Sequence, residues 1–421
     1  MCRVLGIIGN DDIVGILALG LYAQIYAGDH SAGIAAVTDG GILVEKALGK
    51  AIDVFPGHPD MQSKVAIGHN GCTTSELQPI NLSVNGKMLA LAVDATKEVT
   101  SAIATILNES RDVIAGVSEA IREITEPFAL IVLSADHGLI AARNSGIKPL
   151  TIGKIEVDGL SGFYVASQSG VLLEGSFLDT IRPGSLRVIN QEGFEEIVVL
   201  DRADPRHCIN ELLFKQRPGN RSGRREINEI RFDIGKILGA RFAQYLESQP
   251  IHKPVIREYK GIAIPQGGIQ FTIGFGQTSG IEVDPAGSVR AIYSVSTQMR
   301  ESAKKLGLSD NFALSPLPNV AGRRIVLIDD QMRSGDKIAH MAEKCFAMGA
   351  KEVLAAVGST GKSSCPYGDS AYHSEDLIDR RLSLSEISRT LGVSAIITLP
   401  LEELIQAIGT PERIYCLDCL C

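Results

Sequence analysis

The chain has 421 residues, 45% of them hydrophobic and 21% charged, with a formal net charge of -8. That length exceeds one ordinary core and sets two domains as the expectation, and the apolar content excludes wholesale disorder. The acidic balance, with no basic arm or stripe, gives no electrostatic footprint for nucleic acid or an anionic membrane, so neither is expected as a partner.

The chain opens Met1-Cys2-Arg3-Val4-Leu5-Gly6-Ile7-Ile8-Gly9. Removal of Met1 would leave the Cys2 thiol beside its own α-amine, whose unperturbed pKa of about 7.7 to 8.0 suits proton abstraction near neutral pH. Cys2 is therefore a candidate nucleophile, although a second-position cysteine is by itself unremarkable. The apolar run 13–27 is shorter than a membrane span, is broken by Gly15, Gly20 and Gln24, and lacks the basic flank of an export signal. Eight cysteines without such a signal argue for metal or thiol chemistry over disulfides, and for a cytoplasmic location.

Up to about residue 200 the pattern is strand-rich, with strands expected at 3–9, 31–38, 41–45, 64–69, 87–93, 129–134, 138–144, 162–167 and 185–190. Helices are expected at 11–26 and at 100–124, the second with Ile103, Ile106, Leu107, Val117, Ile121 and Ile124 on a helical period. Runs of strands with few long helices suggest two sheets covered by outer helices. After a basic joint at 215–225, helix 227–247 leads into alternating strands (260–264, 289–294, 324–328, 352–357) and helices (268–279, 297–306, 337–348), the signature of a parallel α/β sheet. Domains of 1–225 and 226–421 follow.

Arg324 to Lys337 reads as a buried strand, then Asp329-Asp330, then a loop with Arg333, Ser334 and Gly335, then a helix carrying Lys337. Ligands of parallel sheets bind at strand carboxyl ends, and loop amides entering a helix favour phosphate. A plain turn whose acids cap the helix fits the pattern equally. Cys416-x-x-Cys419 has metal-ligand spacing, with Cys208 and Cys365 standing alone, and a stray thiol pair is the alternative.

These segments together resemble the amidophosphoribosyltransferases. The strand with Asp329-Asp330 is similar to the phosphoribosyl pyrophosphate motif of type I phosphoribosyltransferases, and the N-terminal cysteine precedes it as in that family. Ser31-Ala32-Gly33-Ile34, Ile67-Gly68-His69, Gly146-Ile147-Lys148-Pro149-Leu150, Val165-Ala166-Ser167 and Gly349-Ala350-Lys351-Glu352-Val353 fall in the family's order. The resemblance implies an N-terminal-nucleophile αββα sandwich followed by a type I phosphoribosyltransferase domain, an α+β unit joined to an α/β unit. It implies that Cys2 attacks glutamine and that Asp329, Asp330, Arg333, Ser334, Gly335 and Lys337 bind phosphoribosyl pyrophosphate with Mg2+. Nucleotide effectors and a homo-oligomer are further implications. One branch of the family carries a [4Fe-4S] cluster, and Cys208-Ile209-Asn210-Glu211, Cys365-Pro366-Tyr367-Gly368 and Cys416-Leu417-Asp418-Cys419 match its ligand segments. Four thiolates also suit zinc.

The chain departs from the family at several points. Gly71 stands where an arginine binds the glutamine carboxylate, which implies open room there. Asp94 stands in the oxyanion segment, where an acid would repel developing negative charge. Ile264-Pro265-Gln266-Gly267-Gly268 replaces the family's segment near the diphosphate, Tyr293-Ser294-Val295-Ser296 replaces its arginine-rich flap, and Asp336-Lys337 replaces two loop hydroxyls. A second reading follows: a diverged paralogue that uses the scaffold for binding or regulation.

Overall fold

Side-chain alternation organises the first of two units, Met1–Cys208 and Ile209–Cys421, into which the chain divides. The computed structural model describes residues 2–24, 30–57, 59–71, 77–172, 175–249, 256–265, 267–290, 314–316, 319–367, 377–380, 382–409 and 411–421. Cys72, Gln266, the 293–296 segment, the helix expected at 297–306 and Gly368 lie outside them.

Thirteen described strands build the first unit: β1 (Arg3–Gly9), β2 (Ser31–Thr38), β3 (Gly41–Leu48), β4 (Val65–Gly71), β5 (Ile80–Val84), β6 (Lys87–Asp94), β7 (Ala129–Ser134), β8 (Gly138–Arg143), β9 (Thr151–Val157), β10 (Leu160–Ala166), β11 (Gly175–Thr180), β12 (Ser185–Ile189) and β13 (Phe194–Val198). They form two antiparallel sheets, in the orders β11-β9-β10-β1-β4-β2-β3 and β13-β12-β8-β7-β6-β5. Along β1, Val4 and Ile8 face the second sheet, where Ala90, Ala92, Ala129 and Ile131 meet them. Leu5 and Ile7 face the opposite way, onto α1 (Val14–Ala23). The second sheet turns Leu91, Val93, Leu130 and Val132 onto α3 (Lys97–Glu109) and α4 (Val113–Glu123). A short α2 (Ala51–Val54) completes the first outer layer. The result is the expected helix–sheet–sheet–helix sandwich.

Two expectations shift. The helix expected at 100–124 is two helices, because the Asp112 carboxylate accepts a hydrogen bond from Ala115 N at 2.8 Å and starts α4 afresh after Ser110. Strands β5, β9, β11 and β13 were not expected. Three of them are sheet edges, and Phe194–Val198 is mostly exposed, so no buried alternation marks it.

In the second unit, β14 (Tyr259–Ala263), β15 (Glu282–Asp284), β16 (Arg324–Met332), β17 (Glu352–Thr360) and β18 (Ile396–Thr398) form a parallel sheet in the order β15-β14-β16-β17-β18. Val326, Ile328, Leu354 and Ala356 point to α5 (Ile227–Ser248), α6 (Gly268–Ser279) and α9 (Leu401–Ile408). Ile325, Leu327, Val353 and Ala355 point to α7 (Asp336–Ala347) and α8 (Leu384–Leu391). Strand β16 outruns the expected 324–328, because β17 continues beside it and pairs Gln331 with Ser359 and Met332 with Thr360.

Helices α5 and α6 touch backbone to backbone. A Cβ on Gly235 would lie 2.2 Å from the Phe271 carbonyl oxygen, and one on Gly239 would lie 2.4 Å from that of Phe275. Overpacking of this kind costs about 1–3 kcal/mol or more. Gly235→Val should lower the stability of the protein by at least that amount in chemical denaturation. Gly219→Ala, where a Cβ would have nothing within 4 Å, should change it little.

Candidate functional site

Strand β1 is the fourth of seven in its sheet, so the chain before it runs out at the sheet's centre. Cys2 is 8% exposed. Arg3 pairs with Asn70, and extending that register carries Cys2 to the level of Gly71, on the side of the strand that Val4 shows to the second sheet. A Cβ on Gly71 would lie 2.1 Å from Ser31 Oγ and 3.4 Å from His69 Cε1. The expected room at Gly71 is therefore absent, because the Ser31 hydroxyl fills it.

Asp94 ends β6 and is fully buried. The Lys148 ammonium lies 2.9 Å from its Oδ1, with only 6% of the lysine side chain exposed. Burial pushes the Asp94 carboxyl up, but the charges of Lys148 and Arg3 outweigh it and hold the group below the usual carboxylate range. The bare repulsive acid expected from sequence is thus one half of a buried ion pair. Lys148 lay unremarked inside the Gly146–Leu150 motif, and the signal was a buried lysine in a run that otherwise reads as turn and strand.

In the second unit, successive residues of β16 face opposite sides of the sheet, and the two acids obey that rule. Asp329 follows Ile325 and Leu327 toward α7, where Lys337 Nζ lies 2.7 Å from its Oδ2. Asp330 follows Val326 and Ile328 toward α6, and its carboxylate lies on bare backbone: a Cβ at Gly267 would be 1.5 Å from Asp330 Oδ2. Burial raises the Asp329 pKa to about 7, with Lys337 pulling it down and Asp330 pushing it further up. The connection to α7 is Arg333-Ser334-Gly335, with Gly335 at φ 82° as the N-cap. Ser334 Oγ donates to Asp336 Oδ2 at 2.9 Å, and the Arg333 guanidinium stands 5.8 Å from the Phe214 ring centre.

Of the cysteines, Cys208, Cys416 and Cys419 are buried, Cys365 is half-buried and Cys421 is exposed. Asn210 Nδ2 donates to Cys419 Sγ at 3.0 Å, a contact that spacing alone did not suggest. The amides of Lys362 and Ser363 donate to the Cys419 carbonyl at 3.0 and 3.3 Å, which brings the Cys365 segment to the C-terminal turn. Among the described residues no three His, Cys, Asp or Glu side chains converge on a position for one metal ion. Cys345 is an inert interior thiol, pushed by burial to about 12.

The ion pair at Asp94 yields a prediction. Asp94→Asn removes the carboxylate from this buried pair, and stability should fall by about 3–5 kcal/mol. Because the Asp94 pKa is depressed, the pair's contribution should be complete above about pH 4 and decline as pH falls below it. Urea denaturation of wild type and Asp94→Asn between pH 3 and pH 7 checks both, the variant losing that part of the pH dependence.

No family-wide sequence profile matches the chain. The amidophosphoribosyltransferase of Methanocaldococcus jannaschii is 26% identical over 100% of this chain and 96% of its own length. The chloroplastic amidophosphoribosyltransferase of Glycine max is 25% identical over 99% of this chain and 77% of its own length. Among solved structures, the glutamine phosphoribosylpyrophosphate amidotransferase of B. subtilis complexed with ADP and GMP aligns with a TM-score of 0.83 at 22% identity, covering 100% of this chain and 96% of that one. A structure described as the allosteric regulatory enzyme of purine biosynthesis aligns at 0.84 and 23%, covering 100% and 95%. Across its whole length the chain has their architecture of separate antiparallel and parallel sheets, and its sequence is distantly but consistently similar to the amidophosphoribosyltransferases.

Proposed function

We propose that the chain is an amidophosphoribosyltransferase relative that uses Cys2 on a carboxamide and the acids of β16 on a phosphoribosyl ligand. One observation carries this reading. A single chain holds a cysteine at the head of the central strand of a two-sheet sandwich and an Asp-Asp step near the carboxyl end of the middle strand of a parallel sheet.

In the first half-reaction the α-amine of Cys2 takes the thiol proton and Sγ attacks the amide carbon. The leaving ammonia carries the proton away, and water then hydrolyses the thioester. In the second, ammonia displaces pyrophosphate from C1 of phosphoribosyl pyrophosphate, while Asp329 holds the ribose hydroxyls on the α7 side and Asp330 lies on the opposite face of the sheet. Mg2+ would neutralise the diphosphate when bound. Glutamine-dependent formation of phosphoribosylamine by anaerobically purified protein, lost in Cys2→Ala, is the expected result. Asp329 holds its proton up to about pH 7, so its negative charge appears only as pH rises through that value. Mg2+-dependent binding of phosphoribosyl pyrophosphate should therefore tighten from pH 6 to pH 8 in titration calorimetry, and a flat profile would remove Asp329 from the site.

For the cysteines we propose the cluster reading, with Cys208, Cys365, Cys416 and Cys419 as ligands of a [4Fe-4S] centre of structural role. Burial of three of them and the hydrogen bond from Asn210 to Cys419 Sγ support thiolates in a protected setting. Among the described residues no three such side chains converge on one position, so the ligand set is taken from the three sequence segments alone. Chemical analysis should find about four iron and four sulfide per chain, and exposure to oxygen should lower the melting temperature.

A second reading has its own support. Asp94 is already engaged by Lys148 and Asp329 by Lys337, so both acids have partners without any ligand. A binding or regulatory paralogue would show thermal stabilisation by phosphoribosyl compounds or nucleotides without turnover in the same assay.

A further inference from the structure

The second unit contains a cavity of about 330 Å³ beyond the carboxyl ends of β17 and β18, separate from the acids of β16. Its walls are largely hydrocarbon, supplied by Leu384, Leu399, Pro400, Leu401, Leu404 and Leu420. Its polar groups are three hydroxyls, two cationic side chains and the Asp379 carboxylate. Ser359 is 4% exposed, and its hydroxyl is buried with no hydrogen-bond partner. The Thr398 hydroxyl at the end of the neighbouring strand is buried and unpartnered in the same way. Pro400 and Leu401, which line the cavity, are the N-cap and first residue of α9, and no side chain caps that helix. Its first amides therefore open on the cavity with the positive end of the helix dipole.

Charges of both signs surround the cavity: Arg241, Lys362 and Asp379 line it, and Glu402 and Glu403 sit in the first turn of α9. Arg241 is paired with Glu403 at 2.6 Å, and Asp379 accepts the Thr360 hydroxyl at 2.5 Å while keeping its negative charge. Lys362 lines the cavity, is exposed, and has no ion-pair partner among the described residues. Two buried hydroxyls without partners, an uncapped helix start and a free ammonium ask for one negative group; the leucines ask for a short hydrocarbon body.

We propose that this cavity binds a small carboxylic acid with a branched or aromatic apolar body, its carboxylate taken by Ser359, Thr398 and the start of α9, with Lys362 at the rim. The volume admits a ligand of fewer than about a dozen heavy atoms, near the small end of the range for ligand pockets. The location follows the general preference of parallel sheets for ligands at strand carboxyl ends, one strand away from the Asp329-Asp330 step.

Titration calorimetry on the full-length protein tests this with three probes. 4-Methylpentanoate should bind with a dissociation constant of about 1 mM or tighter, 4-methylpentan-1-ol about tenfold more weakly or worse, and acetate not measurably. Ser359→Ala and Thr398→Val should each weaken the acid about fivefold or more. Equal binding of the acid and the alcohol would overturn the proposal, as would no binding of the acid at 10 mM (about ten times the expected constant). Unchanged affinity in Ser359→Ala would do the same. The three-probe comparison needs no variant, so a variant that fails to fold leaves the test intact.

Discussion

Extended chain turns successive side chains to opposite faces, and both halves of this protein are built on that constraint. In the first unit it lets β1 serve two cores at once, with Val4 and Ile8 against the second sheet and Leu5 and Ile7 against α1. In the second it separates adjacent acids. Asp329 and Asp330 read as a pair in the sequence, yet one meets the first turn of α7 and the other lies on the backbone before α6. Because β17 keeps pairing with β16 as far as Met332, the acids sit within the strand, and their divergence is enforced by the pairing with β17.

Electrostatics supplies a second theme. Buried carboxylates are costly unless a cation or hydrogen bonds accompany them, and here each has a lysine from another element. Lys148 reaches Asp94 from the segment preceding β9, and Lys337 reaches Asp329 from α7. Each lysine substitutes a fixed internal counter-charge for what a bound ligand or metal would otherwise provide. The outcome differs because Asp329 has Asp330 as its neighbour, which adds repulsion, whereas Asp94 has Arg3 nearby, which adds attraction.

Much of the architecture was legible from residue pattern. Val4 to Ile8, Ala129 to Leu133 and Ile325 to Ile328 are runs that only doubly covered strands tolerate, and the alternation after residue 226 announced a parallel sheet. What escaped was local chemistry and edges. The break at Ser110–Asp112 needed the Asp112 side chain to be seen as a cap within an otherwise continuous apolar period. The Ser31 hydroxyl against Gly71 and the Asp330 carboxylate against Gly267 were invisible, since a glycine in sequence reads as space and becomes contact only when a neighbouring strand or loop is placed beside it. Asn210 was missed for a related reason: its partner Cys419 is 209 residues away.

The two outermost strands of the parallel sheet, β15 and β18, have three residues each. Such short borders present few unpaired amides and carbonyls, too few to template a sixth strand from another molecule. The longer strands β16 and β17 lie in the interior of the sheet, each with a neighbouring strand on both sides. Self-association of this unit by sheet extension is thereby disfavoured. Any oligomer involving the second unit would have to form through helix faces and loops, whose side chains can vary without disturbing the strands that carry Asp329 and Ser359.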